Sequence, residues 1–322
     1  MTTSATGVVT STRGRPLRLG TRASELATSQ SGWVADRLRA RGHEVELVLV
    51  QTEGDRSTAP LTQIGGTGVF VSALREALLE GRIDCAVHSL KDIPVAEEAG
   101  LVVVAVPERE DPRDVLVSRD GLRLADLPDG ALIGTGSPRR AVQLEDAAPG
   151  ARVTDLRGNV GSRIAKVTSG ALDAIVLAAA GLNRLGRADE ASEVLDTTVM
   201  LPAPGQGALA VECRSGDAAT VELLAVLEHP ATRTCVAAER ALLAELEAGC
   251  SAPVGALARI EGDEIVLDAV VGNASGGTLR HSLRGADASG LGREMAQHFL
   301  SRLAPAGLNH PSPAPTAQHP GA

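Results

Sequence analysis

The chain has 322 residues and a formal net charge of −9, with 43% hydrophobic, 22% charged and only 1% aromatic residues. This length is sufficient for two or three domains with cores of their own, and the composition is ordinary for a globular protein. The negative charge argues against a broad nucleic-acid-binding surface, and the scarcity of aromatic side chains removes the platforms on which single-stranded nucleic acids stack.

The two ends of the chain have the composition of disordered segments. Residues 1–16 are rich in Thr, Ser and Gly and lack the apolar stretch of a secretory signal, while residues 304–322 are rich in Pro, Ala and His. No apolar run is long enough to span a bilayer. The four cysteines form no CxxC pair, so neither a metal site nor a disulfide framework is indicated, and a reducing cytoplasm is the expected compartment.

Strands and helices alternate along the first two thirds of the chain. The first predicted series comprises a strand at 17–20, a helix at 24–41, a strand at 44–50, a polar loop at 51–68, a helix at 70–79, and strands at 83–87 and 101–106. After residues 108–114 the pattern restarts, with strands near Val115, Ala131, Val153 and Ala174, and a turn-rich segment at 201–207 precedes a strand at 208–213. This order predicts an α/β fold of two doubly wound, mainly parallel lobes, joined by two crossings with a ligand cleft between them.

The last third of the chain has a different pattern. It predicts a long helix at 232–246, strands near 255–260, 265–271 and 278–283, and a helix near 291–303. Because its helices and strands come in separate runs, we expect a smaller α+β domain. The predicted division is lobe 1 from 17–107 with 208–225, lobe 2 from 108–207, and a third domain from 226–303.

Four arginines lie in two turns where a strand gives way to a helix. They are Arg139 and Arg140 in the motif GTGSPRR, and Arg157 and Arg163 in the motif LRGNVGSR. Ser137 followed by Pro138 predicts a helix capped by the serine, and it places two cations in the first turn, where the helix dipole disfavours them. A bound anion would compensate, so we favour an anion site over a solvated surface pair.

Three other segments carry candidate residues. Arg22 and Ser24 repeat the strand–turn–helix arrangement, with Ser24 as the expected cap, and Arg184 is a weaker candidate beyond the strand near Ala174. Lys91 and Asp92 follow the strand at 83–87; an acid beside a base is often a surface ion pair, but here it is expected to face the arginine turns. Asp92 would be ionised there and able to stabilise a developing cation or accept ring N–H donors. His88 is interpreted as structural.

Cys250 is the candidate for covalent chemistry. Gly249 is the predicted C-cap of the long helix, which puts Cys250 in an exposed turn. Cys85, Cys213 and Cys235 lie in apolar stretches and are interpreted as core thiols. No partner His or Asn is recognisable, so position alone leaves a reactive and an inert thiol equally open.

Together these segments resemble the hydroxymethylbilane synthase family, also called the porphobilinogen deaminases. The resemblance runs from about Leu17 to Leu303 and rests on motifs in the family's order: RASELA at 22–27, GGTGVF at 65–70, and the segments 88–94, 108–114, 134–140, 156–163, 201–207 and the loop around Cys250. It implies a three-domain enzyme whose first two lobes are similar to periplasmic binding proteins. Such an enzyme condenses four porphobilinogen molecules head to tail, releases ammonia and frees a linear hydroxymethylbilane by hydrolysis.

The resemblance also implies roles for individual residues. The family's dipyrromethane cofactor is joined by a thioether to the cysteine matching Cys250, and the aspartate matching Asp92 contacts pyrrole N–H groups and assists deamination and bond formation. The residues matching cofactor-holding groups are Ser89, Lys91, Thr135, Ser137, Arg139, Arg140 and Arg163. Those matching substrate-binding groups are Arg22, Ser24, Arg157 and Arg184. The implied partner is the small molecule porphobilinogen, with no metal, nucleic acid or membrane, and the implied state is a cytoplasmic monomer.

One departure from the family pattern lies in the loop 51–68. Some relatives carry lysines where this chain has Gln63 and Thr67, so we expect a mobile lid that adds no positive charge. Two other functions stay open: a non-catalytic binding protein for a polycarboxylate, and a cysteine-dependent acyl or thiol enzyme. An adduct of two pyrrole units on Cys250 would distinguish the family interpretation from both.

Overall fold

The structure is a computed structural model that describes residues 14–50, 69–248, 252–273 and 276–303. Cys250, Gly249, the predicted lid at 51–68 and most of both predicted disordered ends lie outside the described residues. In chain order the elements are β1 (Leu17–Thr21), α1 (Glu25–Arg39), β2 (Val45–Leu49), α2 (Val69–Leu79), β3 (Cys85–Ser89), β4 (Leu101–Ala105), β5 (Asp114–Ser118), β6 (Leu132–Gly134), α3 (Pro138–Ala147), β7 (Arg152–Thr154), α4 (Val160–Thr168), β8 (Ala174–Ala178), α5 (Ala179–Arg184), β9 (Glu193–Val194), β10 (Leu209–Arg214), α6 (Ala218–Ala225), α7 (Pro230–Glu245), β11 (Val254–Glu261), β12 (Glu264–Gly272), β13 (Thr278–Gly285) and α8 (Ala288–Leu300).

The first sheet has the strand order β2-β1-β3-β10-β4. Strand β1 pairs parallel with β2 and β3, whereas β10 is antiparallel to β3 and β4. Helix α1 begins where the Ser24 hydroxyl accepts a hydrogen bond from the N–H of Ala27 at 3.4 Å, which confirms the predicted cap. Its buried Val34 and Leu38 pack with Leu19 of β1 in one apolar core.

The second sheet has the corresponding order β7-β6-β8-β5-β9. Strand β6 is parallel to β7 and β8, and β5 is antiparallel to β8 and β9. In each sheet one strand runs antiparallel to its two neighbours: β10 in the first sheet and β5 in the second. The chain enters this strand directly after it crosses from the other sheet. The predicted two α/β lobes with two crossings are therefore confirmed.

The third sheet is an antiparallel meander of β11, β12 and β13 covered on one face by α7 and α8. Alternate residues of β12, Ile265, Leu267, Ala269 and Val271, lie in the core with Met295 and Phe299 of α8, because successive side chains of a strand point to opposite faces of the sheet. This α+β domain confirms the predicted change of pattern. Among the described residues, no helix combines the length and the apolar composition that crossing a bilayer demands.

Some local predictions were wrong. The patterns assigned no helix to the residues of α6 and no strand to the two residues of β9. Helix α7 begins earlier than expected, because the His229 side chain accepts from the Thr232 N–H at 3.3 Å and Pro230 fits the first turn. It also ends earlier: Glu247, with φ of 50°, takes the left-handed conformation after the helix, so Gly249 is not its C-cap.

Candidate functional site

The two crossings between the lobes meet at the side chain of Gln206. This fully buried amide donates through Nε2 to the carbonyl of Pro112 at 2.7 Å and to Asp114 Oδ1 at 2.9 Å. Its Oε1 accepts from Lys91 Nζ at 3.3 Å. Gln206 thus joins the end of β3 in lobe 1 to the start of β5 in lobe 2.

Asp114 is a buried carboxylate held between two arginines. Arg139 Nη1 donates to Oδ2 at 2.7 Å, and Arg140 Nη2 donates to Oδ1 at 2.7 Å. Burial alone would raise the pKa of Asp114, but the two guanidinium groups outweigh it and hold that pKa well below its usual range. The result is a closely spaced group of charges with a net positive sign.

The arginine pair of α3 is therefore buried rather than solvated at the surface, and an anion, Asp114, already lies beside it. The internal Asp114 partly compensates both cations, which is why they are tolerated in the first turn of a helix. Donor capacity remains: among the described residues, Nε of Arg139 is buried without a hydrogen-bond partner. Burial also lowers the pKa of Arg139, so the surroundings disfavour its charge until a further anion arrives.

The capping prediction for Ser137 was half right. Ser137 occupies the N-cap position of α3, but its side chain makes no capping hydrogen bond. Its N–H instead donates to Oγ1 of the buried Thr135 at 3.2 Å, which sets the turn. The Ser137 hydroxyl is thus not committed to the helix end.

Lys91 and Asp92 lie in a 3-10 turn, Leu90–Asp92, that directly follows β3. Leu90 anchors the turn, because it is buried and its N–H donates to the carbonyl of Ala208 at 3.0 Å. Burial lowers the pKa of Lys91 to about 8, against the opposing effect of Asp92 and with a further lowering by Arg140. Lys91 therefore belongs to the buried cationic group, and the predicted juxtaposition of this turn with the α3 arginines is observed.

Ser89, at the end of β3, accepts a hydrogen bond from Gln30 Nε2 of α1 at 2.9 Å. Arg163 of α4 donates through Nε to the carbonyl of Gly158 at 2.7 Å; burial lowers its pKa, and the charge of Arg140 adds to that lowering. Arg157 is exposed beside Asp155, with Nε 3.1 Å from Oδ2. Arg163 thus extends the cationic group, whereas Arg157 lies at its rim.

Arg184 connects the lobes at a second point. Its Nη2 donates to the carbonyl of Gly207 at 2.7 Å, and its own carbonyl accepts from Ser29 Oγ of α1 at 2.6 Å. Burial lowers the pKa of Arg184 despite the charge of Glu110. Arg22 and Ser24 follow β1, whose C-terminal end lies at the same sheet edge as that of the parallel strand β3.

Sequence reasoning missed three residues that organise this site: Gln30, Asp114 and Gln206. The sequence marks the segments 108–114 and 201–207 as motifs, but nothing in them indicates which side chain is buried. Gln30 sits inside an amphipathic helix and gave no signal. By contrast, His88 is buried beside Glu212, with Nε2 3.3 Å from Oε2, and Cys85, Cys213 and Cys235 are buried, as expected of structural residues.

The fold and the site together define a two-lobed α/β protein with a buried, net cationic group at the lobe junction. A family model described as porphobilinogen deaminase, dipyromethane cofactor binding domain, matches residues 17–222, and one described as porphobilinogen deaminase, C-terminal domain, matches residues 233–301. The chain therefore belongs to the porphobilinogen deaminase family.

Relatives agree with this assignment. The chain is 58% identical over 275 residues to "Porphobilinogen deaminase 1" of Streptomyces coelicolor, covering 82% of this chain and 86% of the relative. It is 53% identical over 292 residues to the porphobilinogen deaminase of Acidothermus cellulolyticus, covering 88% of each. Among solved structures, it is similar to the second substrate binding domain of a putative amino acid ABC transporter from Streptococcus pneumoniae, with a TM-score of 0.41 and 12% identity over 66% of this chain and 91% of that one. A similarity of that size carries no further conclusion.

Proposed function

We propose that this protein is a porphobilinogen deaminase of tetrapyrrole biosynthesis. It joins four porphobilinogen molecules head to tail with loss of ammonia, on a covalently bound dipyrromethane primer, and releases hydroxymethylbilane by hydrolysis. The observation that carries the proposal is the buried cationic group around Asp114 and Gln206, within a chain that matches both domains of the family. Each pyrrole of substrate and primer bears two carboxylates, so a growing chain requires many fixed cations.

The donor set fits a dipyrromethane cofactor. Nε of Arg139, buried without a partner in the described part of the chain, and the half-buried Lys91 both gain from a nearby carboxylate. We assign the acetate and propionate arms to a set of seven residues: Ser89, Lys91, Thr135, Ser137, Arg139, Arg140 and Arg163. When bound, the cofactor supplies the fixed pyrrole end onto which new units are added.

Asp92 is the proposed catalytic group. It lies beside Lys91 in the turn after β3 and is half-buried next to the cationic group. A carboxylate at this place accepts pyrrole N–H donors and stabilises the positive charge that develops as ammonia leaves. The neighbouring arginines neutralise carboxylates of the rings rather than this charge.

Incoming substrate is assigned to the residues at the rim of the site, Arg22, Ser24, Arg157 and Arg184. Arg157 is exposed and Arg22 is half-buried. Both side chains are therefore accessible to a ligand that arrives from solvent. Arg184 also contacts both the second crossing and α1, so substrate held there lies where the two lobes meet.

Cys250 is the proposed attachment point of the cofactor, through a thioether. It lies outside the described residues, but helix α7 leads to it from the core of the third domain. A covalent tether keeps the chain end near one reactive carboxylate through successive additions.

The same proposal includes the domain bounds 17–107 with 208–225, 108–207 and 226–303, and the membership of β10 in the lobe 1 sheet supports these bounds. It also includes a cytoplasmic location, a monomeric state and the absence of a nucleic-acid partner.

The test is incubation of the purified protein with porphobilinogen, with spectroscopic detection of uroporphyrin formed from the released product. Intact mass should show an adduct of two pyrrole units that is lost in Cys250→Ser. A polycarboxylate-binding protein would consume no porphobilinogen, and a thiol enzyme would retain a free titratable Cys250. Either result would refute the proposal, as would tight pigment retention in Cys250→Ser.

A further inference from the structure

One arginine of the third domain reaches the turn that carries Asp92. Arg240 of α7 donates through Nη2 to the carbonyl of Pro94 at 2.7 Å and through Nη1 to the carbonyl of Ile93 at 3.0 Å, with the carbonyl of Leu90 at 3.5 Å from Nη1. These carbonyls flank Lys91 and Asp92 on both sides. A planar fork with fixed donor directions thus holds the backbone of the turn.

The packing around this contact makes the hydrogen bonds important. A cavity of about 340 Å³ lies between the turn and α7, and its lining includes Leu90, Ile93 and Pro94 on one side and Val236 and Arg240 on the other. Close packing across this space is therefore incomplete, although Leu90 and Ile93 do share an apolar core with Val236. Small shifts of the turn are resisted by the directional bonds from Arg240, in addition to the bond from the Leu90 N–H to the carbonyl of Ala208.

Two other arginines that line the same cavity make different contacts. Arg75 pairs with Glu212 at 2.9 Å. Arg233, on the same helix as Arg240, pairs with Glu228 at 2.6 Å and donates to the carbonyls of Val103 and Val104 in β4. Neither has a hydrogen bond to the Asp92 turn in the described part of the chain, which makes Arg233 a matched control.

We infer that Arg240 is a positioning residue for Asp92. Its fork holds the carbonyls around the turn, and α7 ends at Glu245, shortly before Cys250. Arg240 thus ties helix α7 of the third domain to the turn that carries Asp92. The inference rests on the proposed function, because it presumes that Asp92 and Cys250 act as proposed there.

The experiment compares Arg240→Ala, Arg240→Lys and Arg233→Ala as cofactor-loaded enzymes. Intact mass and thermal unfolding first establish cofactor content and folding. We expect Arg240→Ala to lower kcat by roughly ten- to a hundredfold with a smaller change in KM, the scale on which misplacing a reacting group acts. Arg240→Lys, which keeps one donor group near the carbonyls, should lose less, and Arg233→Ala should keep kcat near the wild-type value.

Chemical rescue sharpens the comparison. Truncation of Arg240 enlarges a cavity that already exists at this place, so guanidinium ion at concentrations well below denaturing should enter and donate to the same carbonyls. We expect saturable recovery of kcat in Arg240→Ala with guanidinium, none with sodium at equal ionic strength, and none in Arg233→Ala. A protein that is merely less stable would not regain turnover from a denaturant.

The outcomes separate this inference from the proposed function. A wild-type protein that does not consume porphobilinogen refutes the function itself. An active wild type with unchanged kcat in Arg240→Ala, an equal loss in Arg233→Ala, or no guanidinium rescue overturns the positioning role. If neither Arg240 variant folds with its cofactor while Arg233→Ala does, Arg240 is a structural residue and the inference is likewise overturned.

Discussion

Arg140 Nη2 and Asp114 Oδ1 are 2.7 Å apart in the interior of the protein, and Arg139 binds the other carboxylate oxygen at the same distance. One carboxylate therefore restrains two cations that the proposed function assigns to the cofactor. The protein keeps these arginines buried and oriented before any ligand binds. Because two cations face a single carboxylate, the group is net positive. Preorganised charges of this kind do not have to be ordered when the ligand arrives.

Asp114→Asn should destabilise the fold. The substitution leaves two buried guanidinium groups facing a neutral amide, which we expect to cost about 3–5 kcal/mol. Thermal or urea unfolding measures the change, with Asp155→Asn in the exposed pair with Arg157 as a control expected to cost less than about 1 kcal/mol. Because the pKa of Asp114 is depressed in the folded state, its contribution is present above about pH 4 and is lost only as the pH falls through the lower folded value. Equal losses in the two variants would show that the buried group is not stabilising.

Arg163→Leu should separate ligand binding from stability. Within the described residues Arg163 has no carboxylate at ion-pair distance, and burial and the charge of Arg140 lower its pKa. Removing this cation should leave the unfolding temperature unchanged or raise it, while retention of the cofactor, measured by intact mass, falls. Lys166→Leu, on the exposed side of the same helix, should alter neither. A large loss of stability in Arg163→Leu with normal cofactor content would reverse the assignment.

The pKa of Lys91 predicts opposite pH effects on cofactor capture and on folding. In the unliganded site Lys91 loses its charge as the pH rises past about 8, so capture of the cofactor by apoprotein should slow there. The unfolded chain, with an ordinary lysine pKa of about 10.4, binds the proton more tightly, so stability should rise between those two values. Intact-mass time courses and unfolding at each pH measure the two effects. In Lys91→Arg both trends should disappear; if they persist, another group is responsible.

Gly207→Ala should disturb the junction between the crossings. Gly207 has φ of +85°, and an added Cβ would lie 2.4 Å from the carbonyl oxygen of Glu110. The same glycine's carbonyl accepts from Arg184. We expect a loss of about 2 kcal/mol or more in unfolding free energy, together with a raised KM for porphobilinogen because Arg184 moves. Gly216→Ala, at an open position without positive φ, is the control and should be close to neutral.

Much of the fold could be predicted because its signals are local. Apolar runs followed by small residues and an amphipathic segment predicted β6 and α3, and the change of pattern after residue 226 predicted the third domain. The failures are local as well: two residues in β9 are too few to form a pattern, and the end of α7 depends on Glu247 adopting a conformation that glycine usually takes. The hydroxyl of Ser137 illustrates the same limit, since a sequence predicts the cap position but not the bond.

By itself the sequence determined that four arginines, Lys91 and Asp92 would stand at strand ends, because strand–turn–helix units are encoded over short spans. Only the tertiary structure decided which of these charges are buried and what neutralises them. Gln206 and Asp114 are separated by 92 positions, and Arg240 and Pro94 by 146. Such contacts arise when two crossings and a third domain pack together, and burial is a property of that packing. Desolvation and charge pairing, which set the pKa of Lys91 and hold the arginines in place, follow from it.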